Sequence, residues 1–170
     1  MKIKLTVNSE QVVRSIERYA NQLDAKTRTF LERIAQIGIS SADASFRSAS
    51  YDGVNDVIVS NTPVWLDERT IAVQASGKAI LFIEFGTGVF NPGVHPQASE
   101  FGMIRGEYGK GHGKQESWIY VGEPGTNGEV IDSGRSVVRT RGNNASRSMY
   151  DAAEIMRNEI QRIAKEVFGD

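Results

Sequence analysis

The chain has 170 residues, of which 39% are hydrophobic and 24% are charged, which is the composition of an ordinary globular domain. Its formal net charge of −1 provides no general attraction for nucleic acid, and without cysteine it can form neither disulfides nor Cys-ligated metal sites. No signal-peptide core and no run of roughly 18 apolar residues is visible, so we expect one soluble domain over residues 1–170.

The N-terminal part of the chain predicts one strand followed by two helices. Residues 1–7 alternate between apolar and polar side chains, as in a strand. A first helix, capped at Asn8 or Ser9, carries an apolar stripe of Val12, Ile16, Tyr19 and Leu23. A second helix begins near Asp24, with a stripe of Phe30, Leu31, Ile34, Ala35, Ala42 and Phe46. Gly38 in this helix costs about 1 kcal/mol relative to alanine, which indicates either close packing or a bend.

The middle of the chain predicts strands and then a long loop. Residues 56–61 and 70–76 are rich in β-branched side chains and lie between turn residues. The apolar run 79–85 fits a strand or a short helix, because periodicity cannot decide at that length. Eight glycines follow in residues 86–116. Loops longer than about 12–15 residues are uncommon in compact domains, and those that are ordered usually have a function.

The C-terminal part predicts two more strands and a helix. The strands are residues 117–122 and 136–141, and the helix runs from a cap at Ser148 to Gly169. The helical stripe consists of Met149, Ala153, Met156, Ile160, Ile163 and Val167, which we assign to the core. The fold class is therefore α+β: two N-terminal helices and a C-terminal helix packed on a small, mainly antiparallel sheet.

The glycine-rich loop does not match the known phosphate-binding motifs. A Walker A loop needs a glycine five residues before its Gly-Lys pair, and the two candidates have Tyr108 and Ile104 there. The histidines of the loop, His95 and His112, lack the spacing of a metal site and are expected in solvent or at a contact. We expect no metal and no cofactor.

One acid, Glu84, stands within the apolar run just before the loop. A carboxylate in such surroundings could have a raised pKa and act as a general acid or base. No partner acid or nucleophile accompanies it. A structural carboxylate that caps the Gly-Thr-Gly amides, or pairs with an arginine, is the favoured interpretation.

Basic residues cluster before the last helix. Arg139 and Arg141 share one strand face and could contact phosphates, but acids elsewhere cancel the charge. Ion pairs within the protein or across a subunit interface are favoured over DNA contact. The cluster consists of Arg135, Arg139, Arg141 and Arg147.

The order of elements and one short motif together resemble a known family. The motif is E-F-G-T-G after an apolar run, formed by Glu84, Phe85, Gly86, Thr87 and Gly88. With the N-terminal helices, the aromatic strand 117–122 and the last helix, it resembles the tail-completion, or head–tail joining, proteins of long-tailed bacteriophages. The segment 148–153, S-M-Y-D-A-A, lacks the two prolines usual in that family and shares a methionine and an alanine with it.

This resemblance implies a non-enzymatic structural protein of the phage neck, assembled in the host cytoplasm, with no cofactor and no membrane contact. Such proteins typically form a six-fold homo-oligomeric ring between the tail tube protein and the head–tail connector or stopper protein, and DNA passes through without specific binding. Residues 84–88 would form the root of an interface loop, and the basic cluster would lie at an interface or in the channel. The loop residues assigned to the interface are His95, Arg105, Tyr108 and His112.

Two other functions stay open at this stage. One is a small metal-dependent hydrolase or nuclease that uses Glu84, His95 and His112. The other is a nucleic-acid-binding module that uses Arg139 and Arg141, whose affinity would fall steeply with salt.

Overall fold

The computed structural model describes residues 9–88, 94–103, 115–125 and 128–169. In this part of the chain three helices and seven short strands form a mixed architecture, so the coarse prediction of an α+β fold is confirmed. None of these helices is both long and apolar enough to cross a membrane. In chain order the elements are α1 (Ser9–Ser48), β1 (Ile58–Val59), β2 (Val64–Trp65), β3 (Ile71–Ala72), β4 (Ala75–Ser76), α2 (Ile80–Phe85), β5 (Trp118–Val121), β6 (Glu129–Asp132), β7 (Val137–Thr140) and α3 (Ser148–Phe168).

The prediction of two N-terminal helices is wrong, because α1 is one continuous helix of 40 residues. The sequence has neither proline nor glycine between Ser9 and Gly38, so nothing ends the helix at the predicted boundary near Asp24. The predicted strand 1–7 and the cap at Asn8 lie outside the described residues.

The two long helices pack against each other in antiparallel orientation. Near one end the rings of Phe30 and Phe168 lie 5.7 Å apart, and near the other end the hydroxyls of Ser45 and Ser148 lie 2.8 Å apart. Between them, a Cβ on Gly38 would overlap the side chain of Met156. Gly38 is thus explained by close packing, the first of the two predicted alternatives.

The strands form three separate antiparallel sheets, β1–β4, β2–β3 and β5–β7–β6. The predicted strand segments contain β1, β3, β4, β5 and β7, whereas β2 and β6 were not predicted. The undecided run 79–85 contains the helix α2. In the three-stranded sheet, Val138 and Thr140 of β7 are buried, while Ile119 and Val121 of β5 are exposed.

The core lies mainly between the helices and the β1–β4 ladder, rather than between helices and one larger sheet as predicted. Its buried members are Ile39, Ala42, Phe46, Val59, Ala79, Ile83 and Ala152. The predicted stripe of α3 is only partly buried: Ile163 is inside, but Ala153 and Ile160 are exposed. Ala152 is buried in place of Ala153, so the inward face of α3 is turned by about one residue from the prediction.

The first part of α1, residues 9–25, projects beyond the end of α3, and we call it the arm. Since α3 ends opposite Phe30, about 30 Å of helix extends past it. Every residue from Glu10 to Ala25 is exposed. The arm stripe, defined as Val12, Ile16, Tyr19 and Leu23, has the predicted helical spacing, but its side chains are between 44% and 67% exposed.

Candidate functional site

Glu84, at the end of α2, caps the N-terminus of α3. Its Oε2 accepts the backbone N–H of Met149 at 2.9 Å, and its Oε1 accepts that of Tyr150 at 3.0 Å. The carbonyl of Glu84 also accepts the N–H of Arg147 at 3.1 Å. Because Arg147 provides no side-chain cap and takes a left-handed conformation, α3 depends on an acid from another element.

The interpretation of Glu84 as a structural carboxylate is supported, but the predicted partners are wrong. The N–H groups that it binds belong to α3, not to the Gly-Thr-Gly segment, and its ionisable partner is a histidine, not an arginine. The residue is only 6% exposed. A negative charge is favourable at this position because the N-terminus of a helix carries a partial positive charge.

His95 completes this cluster from the described part of the loop. Its Nδ1 accepts the N–H of Gln97 at 3.1 Å, so the ring proton lies on Nε2, which donates to Oε1 of Glu84 at 3.2 Å. The imidazole packs against the rings of Phe85 and Tyr150, at centroid distances of 4.2 Å and 5.5 Å. It is 3% exposed, so of the two predicted placements, in solvent or at a contact, the first is wrong for His95.

The Gly-Thr-Gly turn packs directly on the segment that leads into α3. The N–H of Thr87 donates to the carbonyl of Asn143 at 2.9 Å, and its hydroxyl donates to Oδ1 of Asn143 at 2.6 Å. Gly86 has φ +76°, and a Cβ there would lie 2.6 Å from the backbone nitrogen of Ala145. Gly142 has φ +92°, and its Cβ would overlap the carbonyl of Thr87. These glycines serve the contact of two backbones, not a phosphate cradle.

The other residues of the root are held in the same way. Phe85 is buried, and its ring lies 5.2 Å from that of Phe101. A Cβ on Gly88 would lie 2.7 Å from the carbonyl oxygen of Arg141. Ala98 is also buried, and within residues 94–103 the rings of His95 and Phe101 pack against Phe85 of the root. We refer to residues 84–88 as the loop root.

The remaining loop residues of the predicted interface, Arg105, Tyr108 and His112, lie outside the described residues. Within the described ranges no group of three or more histidine or acidic side chains could hold a metal ion. The structure therefore brings Glu84 and His95 together, and both oxygens of Glu84 already accept N–H groups of α3.

Three of the four clustered arginines form ion pairs within the chain. Such pairs, within the protein or across an interface, were the interpretation favoured from the sequence. These pairs are largely exposed, so each contributes at most about 1 kcal/mol. Arg141 is exposed and forms no ion pair with a described residue. The pairs join Arg135 to Asp132 at 4.0 Å, Arg139 to Glu129 at 3.6 Å and Arg147 to Asp151 at 3.3 Å.

A cluster around Asp52 was not predicted from the sequence. Asp52 is buried and accepts the hydroxyl of Thr140, and its carbonyl accepts the hydroxyl of Tyr120. Burial raises the pKa of Tyr51 and the pKa of Tyr120, and the charge of Asp52 adds to both shifts. The adjoining cleft of about 190 Å³ is smaller than the roughly 300–1,000 Å³ of ligand pockets, so it fits packing better than substrate binding. In the sequence, Asp52 precedes Gly53 and has the pattern of an ordinary turn.

Comparison with known proteins assigns this chain to no family. No protein-family model, no curated protein and no solved structure matches it. The functional interpretation therefore rests on the residues of this chain and their geometry.

Proposed function

We propose that this chain is a non-enzymatic structural subunit of the bacteriophage neck, a tail-completion or tail-terminator ring subunit. In this role it forms a homo-oligomeric, six-fold ring in the virion, between the tail tube protein and the connector or stopper protein of the head. The proposal rests on the burial and hydrogen bonding of the E-F-G-T-G motif. Its acid is buried and committed to α3, so the motif serves to anchor the long glycine-rich segment.

An anchored root suits a segment that acts on a neighbour. The hydrogen bonds between Thr87 and Asn143 hold the start of the segment, and Glu84 ties the same place to α3. A glycine-rich segment is costly to order by itself, but a partner can order it on binding. Rings are built from contacts between two different surfaces of the same chain, so one subunit can provide the segment and the next can receive it.

The charge of the chain is also consistent with a DNA channel. A net charge of −1 gives weak attraction for the phosphate backbone, which lets DNA pass without being held. Arg139, which could contact phosphate, pairs with Glu129 across the sheet. This pairing engages one of the two arginines of the nucleic-acid-binding alternative, while Arg141 is exposed and forms no ion pair with a described residue.

The hydrolase alternative is weakened by the burial of Glu84 and His95, the two of its proposed residues that the structure describes. A catalytic carboxylate must reach substrate or a bound metal, and Glu84 and His95 are 6% and 3% exposed. Both oxygens of Glu84 are also in use as acceptors for α3. The roles proposed here for Glu84 and His95 are structural.

The proposal is tested by the mass of the purified protein across a concentration series, measured by native mass spectrometry and light scattering, with electron microscopy of the largest species. We expect a ring with a central channel. A strict monomer at every concentration, both alone and mixed with isolated phage tails, would overturn the proposal.

The part played by the loop is tested separately. Deletion of residues 90–114 would remove buried His95 and Ala98 and damage the root, so substitution is the better test. We expect a triple variant, Arg105→Ser, Tyr108→Ser and His112→Ser, to lose the ring and keep the melting temperature of the wild type. Glu100→Ser, an exposed position in the described part of the loop, is the matched control and keeps the ring. A triple variant that still forms normal rings would contradict the interface role of these residues.

A further inference from the structure

The arm presents an uncharged apolar surface that the described part of the chain does not cover. The arm stripe extends over about 16 Å, from Val12 to Leu23. At 100° per residue, Ser15, Ala20 and Gln22 lie beside the stripe, and none of them is charged. The charged residues of the arm lie on the opposite half of the helix and include Glu10, Arg14, Glu17 and Arg18.

A projecting helix of this kind gains from a partner. Isolated helices shorter than about 12–15 residues are marginal in water, and most helices are stabilised by packing of an apolar face. The arm also contains β-branched Val12, Val13 and Ile16, which lower helix propensity. Burial of large apolar side chains is stabilising, so covering the stripe would favour the helical arm.

A second uncovered apolar surface lies on the three-stranded sheet. We define the outer sheet face as Ile119, Val121, Val137, Arg139 and Glu129, which adjoin one another through the strand register. Ile119 is 59% exposed and Val121 is 76% exposed. An antiparallel sheet that faces water normally places polar side chains on that face, so these two are unusual.

The two surfaces cannot meet within one chain. The sheet is tied to the chain just after the end of α1, because Tyr120 and Thr140 both donate to Asp52. The stripe is centred between Ile16 and Tyr19, so roughly 45 Å of continuous helix separates it from the sheet end of α1 at Ser48. Helices of this length curve only gently, so α1 holds the surfaces apart.

We infer that the arm of one subunit docks on the outer sheet face of a second copy of this chain. The inference rests on the proposed ring function and specifies the contact that would build the ring. A contact between two different surfaces repeats head to tail and closes when the rotation allows. The stripe brings no charge, and Arg139 pairs with Glu129 at 3.6 Å, so docking buries no unpaired charge.

The size of the contact also favours a ring over an isolated pair. A helix about 10 Å wide that lies along its stripe covers on the order of 160 Å² per partner, well below the roughly 800 Å² per partner of a stable complex. Pairing of two arms would be as small and would leave the sheet face uncovered. In a ring each subunit uses both surfaces, and closure makes the last contact intramolecular.

Disulfide trapping tests the contact, because the chain contains no cysteine of its own. The variants are Ala20→Cys beside the arm stripe, Val121→Cys on the outer sheet face and, as the control, Glu68→Cys in the exposed turn between β2 and β3. Two variants at a time are mixed, and one of the two carries a mass tag. The mixture is then oxidised mildly. We expect the mixture of arm and sheet variants to give on the order of tenfold more mixed disulfide than either variant with the control.

The outcomes separate this inference from the proposed function. Mixed disulfide at the control level, or a predominance of Ala20→Cys homodimers, would overturn the arm–sheet contact even where the wild type forms rings. Rings are measured independently by the mass of the wild type. The double variant Ala20→Cys/Val121→Cys should give a ladder that ends in a closed species, and its number of rungs is the copy number. All three positions are exposed, so equal melting temperatures verify that the variants are folded.

Discussion

The loop root and the arm differ in whether their side chains have partners within the same described chain. At the loop root the buried polar side chains of Glu84, Thr87, His95 and Asn143 have hydrogen-bond partners within the chain. In the arm, large apolar side chains are exposed. The loop root is complete within one subunit, whereas the arm stripe has no cover among the described residues.

This contrast separates two measurable quantities. A substitution at the loop root should change the free energy of unfolding, because it removes contacts that hold one chain together. A substitution in the arm stripe should change the free energy of association and leave unfolding nearly unchanged. Variants at the two places therefore distinguish the two quantities.

The strongest disruption is expected from Gly142→Ala. The added methyl group would overlap the carbonyl of Thr87. Thr87 is held by hydrogen bonds with Asn143, and the N–H of Gly142 donates to the hydroxyl of Thr140. We expect a loss of about 4 kcal/mol in the free energy of unfolding, measured by urea denaturation. Gly102→Ala is the matched control, since Gly102 also has a positive φ but no atom within 4 Å of its Cβ position, and it should cost only about 1 kcal/mol. Equal costs would show that backbone strain, not contact, governs Gly142.

Glu84→Ala should have the next largest effect. It leaves the N–H groups of Met149 and Tyr150 without their acceptor in a buried place, for a loss of about 3 kcal/mol. Glu84→Gln keeps one acceptor oxygen and should lose about half as much. Glu100→Gln, at an exposed position, should change stability by less than about 0.5 kcal/mol. An unchanged stability in Glu84→Gln, together with loss of a hydrolytic activity, would favour the enzyme alternative.

A smaller effect, dependent on pH, is expected at Asp56. Its carboxylate accepts the N–H groups of Lys78 and Ala79 just before α2, and these bonds lower the pKa of Asp56. The unfolded carboxyl titrates at about pH 4. The stabilisation is therefore present above that pH and is lost as the pH falls through the lower pKa of the folded state.

Asp56→Asn tests this dependence. Asparagine does not titrate, so the variant should lose less stability than the wild type when urea denaturation is repeated at decreasing pH from 6 towards the lowered pKa of the folded state. Asp56→Ser is the control, because serine can also accept an N–H but has no charge to lose, and its pH dependence should equal that of Asp56→Asn. Identical pH dependence in the wild type and both variants would contradict the assignment.

The sequence predicted the elements whose signals are local. The end of α3 at Gly169, the strands β5 and β7, and the start of a loop at Gly86 follow from periodicity and turn residues within a few positions. Strand β6 was missed although Gly128 and Gly134 flank it, because residues 122–130, which contain its first half, are rich in turn residues. The single helix α1 was missed because Asp24 has the pattern of a cap, and the uninterrupted helical sequence on both sides outweighs it.

The candidate site was predictable only in part, because its partners are distant in sequence. Glu84 and Met149 are 65 residues apart, and no local pattern links them. One signal was present: an acid inside an apolar run must be buried with hydrogen-bond donors or be neutralised. The start of α3 gave no such signal, because Ser148 has the pattern of a cap in the sequence, whereas in the structure it is itself helical and provides none. The sequence therefore indicates that Glu84 needs donors, but not that α3 needs an acceptor or that the two meet.

The smallest effect on stability, and a large one on assembly, is expected from Ile16→Ser/Tyr19→Ser in the arm. Both side chains are exposed, so their replacement removes no buried contact of the described chain, and we expect a change of less than about 0.5 kcal/mol in the free energy of unfolding. Light scattering should show the ring shifted to higher protein concentration or lost, because the arm stripe no longer offers apolar surface to a neighbour. Arg14→Ser/Arg18→Ser, on the opposite side of the arm, is the matched control and should assemble as the wild type does. If the stripe variant instead unfolds at markedly lower urea concentration while its rings persist, the stripe belongs to the folding of a single chain, and the contrast between the arm and the loop root fails.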